Sequence, residues 1–249
     1  DVERSRGLGD VYKRQDVTSE QAVAQAQAQI IERFGRSPSY VVSCAGVAPA
    51  GALLTSPVKM FTRAFDINAA ANVVLAQAFL PAMISNNHGH FMTVASSASY
   101  FSLPNLCAYS MSKTAALAFL ESLRAELRAV YKACRVRTSV VTPTKVRTVL
   151  AEGLNEGDDD FLMPVLEPIQ VARAMADTLN SGLSRNISLP LGSALLPYLR
   201  ALPEWYRGAL RAMGNTDALV TPESISRGQQ ALRGHQSNLD HMKKLGVHS

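Results

Sequence analysis

The chain is poor in cysteine. Its three, Cys44, Cys107 and Cys134, are far apart, odd in number and without a CxxC pair, which excludes a disulfide framework and a zinc site and points to a reducing compartment. Aromatics make up 6% and charged residues 18%, and no uninterrupted apolar run reaches the roughly 18 residues of a membrane span. The net charge of +5 is modest, and the basic residues form no block of the kind that binds nucleic acid. What is present is apolar: 47% of 249 residues are hydrophobic, enough for one large domain or two small ones with a sizeable core. There is no internal repeat and no interdomain linker.

Residues 1–15 have neither helical nor strand period and close on Asp10-Val11-Tyr12-Lys13-Arg14-Gln15. One permitted back-translation of that hexapeptide is the transposase end used in sequencing libraries, so the segment is expected to be translated adapter and stands outside the fold. From Thr18 the pattern sharpens. Thr18-Ser19-Glu20-Gln21 has capping-box spacing, a helix follows, and Gly35 sits at its stop. Strands are expected over 40–46, 89–96, 137–142 and 186–189. Helices are expected over 57–86, with Pro81 kinking or ending it, over 108–132, over 168–181, and as a pair over 191–213 broken at Pro203. Residues 152–160 read as a surface loop and 221–249 as a polar tail, leaving 16–220 as the domain. Continuous apolar strands alternating with helices predict an α/β, doubly wound parallel sheet of Rossmann type.

Ligands of such sheets lie beyond the carboxyl ends of the strands. There the sequence offers Cys44-Ala45-Gly46, then Ser96, then Pro143-Thr144-Lys145-Val146-Arg147-Thr148. Tyr109 and Lys113, four apart, share a helix face and set an ammonium beside a phenol. A nearby cation and a helix N-terminus both favour the phenolate, so such a tyrosine can exchange a proton with an alcohol or carbonyl.

Tyr109-Ser110-Met111-Ser112-Lys113 resembles the YxxxK motif of short-chain dehydrogenases/reductases, with Ser96 thirteen residues upstream as that family places its catalytic serine. Asn68 is similar to the family's fourth catalytic residue, and Cys44-Ala45-Gly46 to its Asn-Ala-Gly turn with the asparagine replaced. Asp16-Val17 resembles the pair that meets the adenine. Pro143-Thr144-x-Val146-x-Thr148 resembles the Pro-Gly-x-Val-x-Thr loop over the nicotinamide amide, with threonine for glycine. Ala78-Phe79-Leu80-Pro81-Ala82-Met83, with Asn86-Asn87-His88-Gly89-His90, looks in particular like the hydroxysteroid/retinol dehydrogenase branch. The resemblance implies NAD or NADP, a hydrophobic alcohol or carbonyl substrate, a homodimer, and an intracellular place at endoplasmic reticulum or lipid droplets, or else in the cytoplasm. It makes Tyr109 the general acid/base, Lys113 the group that lowers its pKa and holds the nicotinamide ribose, Ser96 a hydrogen-bond partner of the reacting oxygen, and Asn68 the residue positioning a relay water.

The family's opening strand and TGxxxGxG turn have no counterpart; Gly7-Leu8-Gly9 follows no strand. The sheet is therefore expected to lack its first two βα units, to expose an edge and to bind dinucleotide poorly, impairing activity. Two other functions are weighed. Ser110-Met111-Ser112-Lys113 also fits the SxxK of serine acyl-transferases, and the second alternative is a catalytically silent lipid-surface protein that retains the fold. Cys44 and Cys107 read as small core residues, His88 and His90 as part of a turn, and the run 191–213, with Tyr198, Trp205 and Tyr206, as a substrate lid, a membrane-facing surface or packing against the sheet.

Overall fold

The computed structural model describes residues 16–151, 164–213, 220 and 225–226. The expected adapter segment, the loop 152–160 and most of the tail lie outside the described residues. The chain forms α1 (Glu20–Phe34), β1 (Tyr40–Ser43), α2 (Val58–Phe65), a π turn (Asp66–Ala70), α3 (Ala71–Ser85), β2 (Gly89–Val94), α4 (Cys107–Ala129), β3 (Val136–Pro143), α5 (Pro168–Ser181), β4 (Asn186–Leu189), α6 (Leu196–Leu199) and α7 (Glu204–Met213). The four strands are all parallel, in the order β1-β2-β3-β4.

Period-2 alternation sends neighbouring side chains to opposite faces of the sheet. Phe91 and Val140 point to one face, where Val23 of α1, Leu75, Phe79 and Met83 of α3, and Leu117, Leu120 and Leu127 of α4 close over them. Met92 and Val141 point to the other and meet Leu166 and Val171, with Met175 and Leu179 of α5. The central strands β2 and β3 are thus buried almost throughout. The expectation of strands covered on both faces fails for β1, whose Tyr40 and Val42 are exposed while Val41 and Ser43 on its other face are buried.

Local chemistry explains most boundaries and several corrections. The cap of α1 is Ser19, whose Oγ accepts from Ala22 N at 3.2 Å. The Asp16 carboxylate holds Thr18 through both its N–H and its hydroxyl, so the reciprocal box read from Thr18 does not form. Gly35 ends α1 in the left-handed region at φ 69°, which costs an ordinary side chain energy. Pro81 neither ends nor interrupts α3: it lies on the exposed side, while Leu80 and Met83 hold the helix to the core. The helical run Val58–Ser85 is long and apolar enough to cross a membrane by composition, yet α3 is the core helix packed on the sheet. His90 lies inside β2 and is buried, its Nε2 2.9 Å from Ser139 Oγ; only His88 belongs to the turn. Cys44 is exposed and Cys107 half-buried, so neither is a core residue. The α7 helix packs on the loop after Ser96 rather than on the sheet: Arg211 bonds Ser102 O, stacks over Phe101 and pairs with Glu204 at 2.9 Å.

Candidate active site

The parallel register brings Ser43, Val94 and Pro143 to one margin of the sheet, and the segments that follow them form the site. After β1 the chain turns through Cys44, Ala45 and Gly46, open to solvent at the first two. A Cβ on Gly46 would stand 3.1 Å from Asn68 Oδ1 and 3.3 Å from Lys113 Nζ, so glycine is what lets this turn approach both. Asn68, buried in the π turn, accepts from Val47 N and donates to Val47 O and to Ser112 Oγ, each at 2.8 Å. Its amide is therefore engaged on every side and acts as a clamp between the turn after β1 and α4.

Two residues beyond β2, Ser96 caps the short turn Ser97–Ser99, its Oγ accepting from Ala98 N at 3.2 Å. The same hydroxyl lies on the Tyr109 side, where it favours ionisation of the phenol. Tyr109 stands in the first turn of α4, and Ser112 donates to its carbonyl at 2.8 Å. One turn further along, Lys113 is buried, donates to Val94 O at 2.8 Å and holds its Nζ 6.0 Å from the Tyr109 ring centroid. Strand end, helix start and π turn thus converge on Ser96, Tyr109, Lys113 and Asn68.

The electrostatics depart from expectation. Burial raises the Tyr109 phenol above its usual range, and the Ser96 hydroxyl offsets this only in part. Burial lowers Lys113 to about 8, against the opposing pull of the Cys44 thiol. Desolvation pushes Cys44 up, with Lys113 drawing it back. Desolvation thus favours the neutral phenol of Tyr109, the form that gives a proton away, over the phenolate expected from its lysine neighbour.

The remaining predicted positions are placed less centrally. Thr144 N donates to Leu189 O at 2.8 Å, while Thr144 Oγ1 is buried without a partner. Val146 bridges to Leu166, and Arg147 pairs with Glu167 at 2.8 Å, which fixes the loop leading to Thr148 against the start of α5. Asp16 and Val17 belong to the turn before α1; no described contact joins them to Tyr109. Ser110 is buried, and its Oγ has no hydrogen-bond partner while Lys113 is committed to Val94 O, so the SxxK pairing does not form. Sequence reasoning missed Asn72, Thr93 and the linking role of Ser112, and missed the apolar group of Ala50, Leu103, Leu106, Val220 and Ile225 that packs with Tyr109.

Comparison with known proteins agrees with this geometry. The sequence profile of the short chain dehydrogenases matches residues 4–159. The chain is 40% identical over 128 residues to "Dehydrogenase RED3" of Cochliobolus heterostrophus, covering 51% of this chain and 65% of that protein. It is 35% identical over 218 residues to "Estradiol 17-beta-dehydrogenase 11" of Pongo abelii, covering 84% of this chain and 68% of the relative. To "Epidermal retinol dehydrogenase 2" of Mus musculus it is 32% identical, covering 66% and 52%. The chain thus spans between about half and two thirds of the length of these relatives. Serine dehydrogenase from Escherichia coli shares the fold, with a TM-score of 0.58 at 21% identity, covering 70% of this chain and 72% of that one. With the profile matching more than half of its length and the strand-end geometry in place, the chain belongs to the short-chain dehydrogenases, a family of oxidoreductases acting on CH–OH groups.

Proposed function

We propose that the site interconverts a hydrophobic alcohol and its ketone or aldehyde, steroid-, retinoid- or lipid-like, with NAD or NADP. The observation that carries the reading is the placing of the buried Lys113 ammonium 6.0 Å from the Tyr109 ring centroid, tied to the end of β2 through Val94 O, with Ser96 two residues beyond that strand. A carbonyl oxygen placed between the two hydroxyls would take a hydrogen bond from Ser96 and a proton from Tyr109. In the opposite direction the Tyr109 phenolate, its charge balanced by Lys113, takes the alcohol proton. Asn68 holds the turn against which the ring and ammonium are set. The apolar residues packed with Tyr109 suit a greasy substrate better than a sugar or amino acid, and two relatives carry estradiol and retinol in their names. Leu195, Tyr198, Trp205 and Met213, exposed near one another in sequence, suit contact with a lipid surface from which such a substrate would come.

The residues present fit the nicotinamide half of the dinucleotide. Gly46 leaves a cradle that a side chain would fill, and the Thr144 hydroxyl is buried with no protein partner. Lys113 would hold the ribose hydroxyls, the segment Cys44–Gly46 would line the same side, and Pro143, Thr144, Val146 and Thr148 would face the amide; Asp16 and Val17 are proposed for the adenine side. When bound, the nicotinamide accepts or supplies the hydride. The test adds retinol or estradiol to the protein at high NAD+ or NADP+ and follows nicotinamide absorbance, beside a fluorophosphonate probe. Alcohol-dependent reduction without labelling of Ser110 is expected. Labelling of Ser110 with no absorbance change would overturn the reading.

A further inference from the structure

The π turn that presents Asn68 is held open by a residue outside the family motif. Asn72, four residues on, sends its amide Nδ2 back to Asn68 O at 2.9 Å and to Ala69 O at 3.2 Å, so a side chain supplies hydrogen bonds to carbonyls of the distorted turn. That amide is oriented in turn: Thr93 Oγ1, in β2, donates to Asn72 Oδ1 at 3.1 Å. With its oxygen fixed by the strand, the amide can present only its nitrogen to the turn. Asn72 and Thr93 are both buried, and the residue after Thr93 carries the carbonyl that holds Lys113. From Asn68 the chain of hydrogen bonds runs on through Ser112 Oγ to the Tyr109 carbonyl.

We propose that Asn72 and Thr93 are positioning residues, a strand-to-helix clamp that sets Asn68 and, through it, the turn at Cys44–Val47 and the first turn of α4 around Tyr109 and Lys113. This rests on the proposed reading of Tyr109 and Lys113 as the reacting pair. Neither clamp residue touches the reacting atoms, and turnover depends on them through registry alone. Loss of the clamp frees the Asn68 amide from Val47 and lets the Cys44 turn drift from the Lys113 ammonium.

Alkylation of Cys44 by iodoacetamide as a function of pH, read on its own peptide by mass spectrometry, reports this distance without any turnover, because Lys113 favours the Cys44 thiolate. In Asn72→Leu and Thr93→Val the alkylation midpoint is expected to move up, while Thr93→Ser, which keeps the hydroxyl, retains the wild-type midpoint. With retinol, the two disruptive variants should lose roughly 10- to 100-fold in kcat. Wild-type midpoints in both, with only Tm lowered, would overturn the clamp. Should Asn72→Leu fail to fold, the Thr93→Val and Thr93→Ser pair decides alone. A wild-type protein inactive on every alcohol would count against the proposed function, and a shifted midpoint would still uphold the clamp.

Discussion

At the residue scale, the site works by close approach. Gly46 is the plainest case, because the position a Cβ would take lies within contact of both Asn68 and Lys113. Asn68 cannot give way, since Val47 and Ser112 fix its amide on three sides. Gly46→Ala is therefore predicted to destabilise the protein by about 1–3 kcal/mol through overpacking, measured by urea unfolding, and to weaken nucleotide binding in calorimetry. An alanine variant with wild-type stability and binding would show that the turn has slack. The motif Tyr109-Ser110-Met111-Ser112-Lys113 was legible in the sequence because a helix fixes what lies four residues apart. The state of Tyr109 was not, because desolvation depends on what packs round the ring, including Leu103, Leu106 and Val220 from other parts of the chain.

At the element scale, strand β2 is the axis of the molecule. It carries Phe91 and Met92 to the two cores, Thr93 to the clamp, Val94 O to Lys113 and, two residues on, Ser96. It also buries His90 opposite Arg137, with Nδ1 lacking a partner and Nε2 on Ser139. Burial first, and Arg137 second, depress this imidazole from 6.5 to about 4. Between those values the unfolded chain binds a proton that the folded chain refuses, so stability is complete above pH 6.5 and falls on acidification towards pH 4, by at most about 3 kcal/mol. Urea unfolding at about pH 7 and about pH 5 should show this loss, and His90→Gln should remove most of it. An unchanged acid loss in the variant would place the effect elsewhere. Strand and helix limits were legible wherever period and caps agreed, as at Pro168–Ser181 and Asn186–Leu189. His90 was misread because a polar residue between Gly89 and Phe91 resembles a turn until Ser139, 49 positions away, is seen to bond it. The clamp was hidden for the same reason, since Thr93 and Asn72 are 21 residues apart.

At the scale of the whole molecule, function follows from a parallel sheet whose strand ends open on one side. The end of β1 brings the Cys44–Gly46 turn, that of β2 brings Ser96, that of β3 brings the Thr144–Thr148 loop, and α4 sets Tyr109 and Lys113 across them. Parallel architecture was legible from apolar strands alternating with helices; the one-sided cover of β1 was not, because which elements lie over an outer strand is decided only by the assembled fold. The central claim is that these separate segments converge so that Tyr109 exchanges a proton with the substrate oxygen. The most direct measurement compares wild type with Tyr109→Phe at saturating nicotinamide nucleotide, following nicotinamide absorbance after addition of retinol. A rate lowered by about 10²- to 10⁴-fold, with nucleotide Kd unchanged, is the predicted result; equal rates in the two proteins would contradict the account.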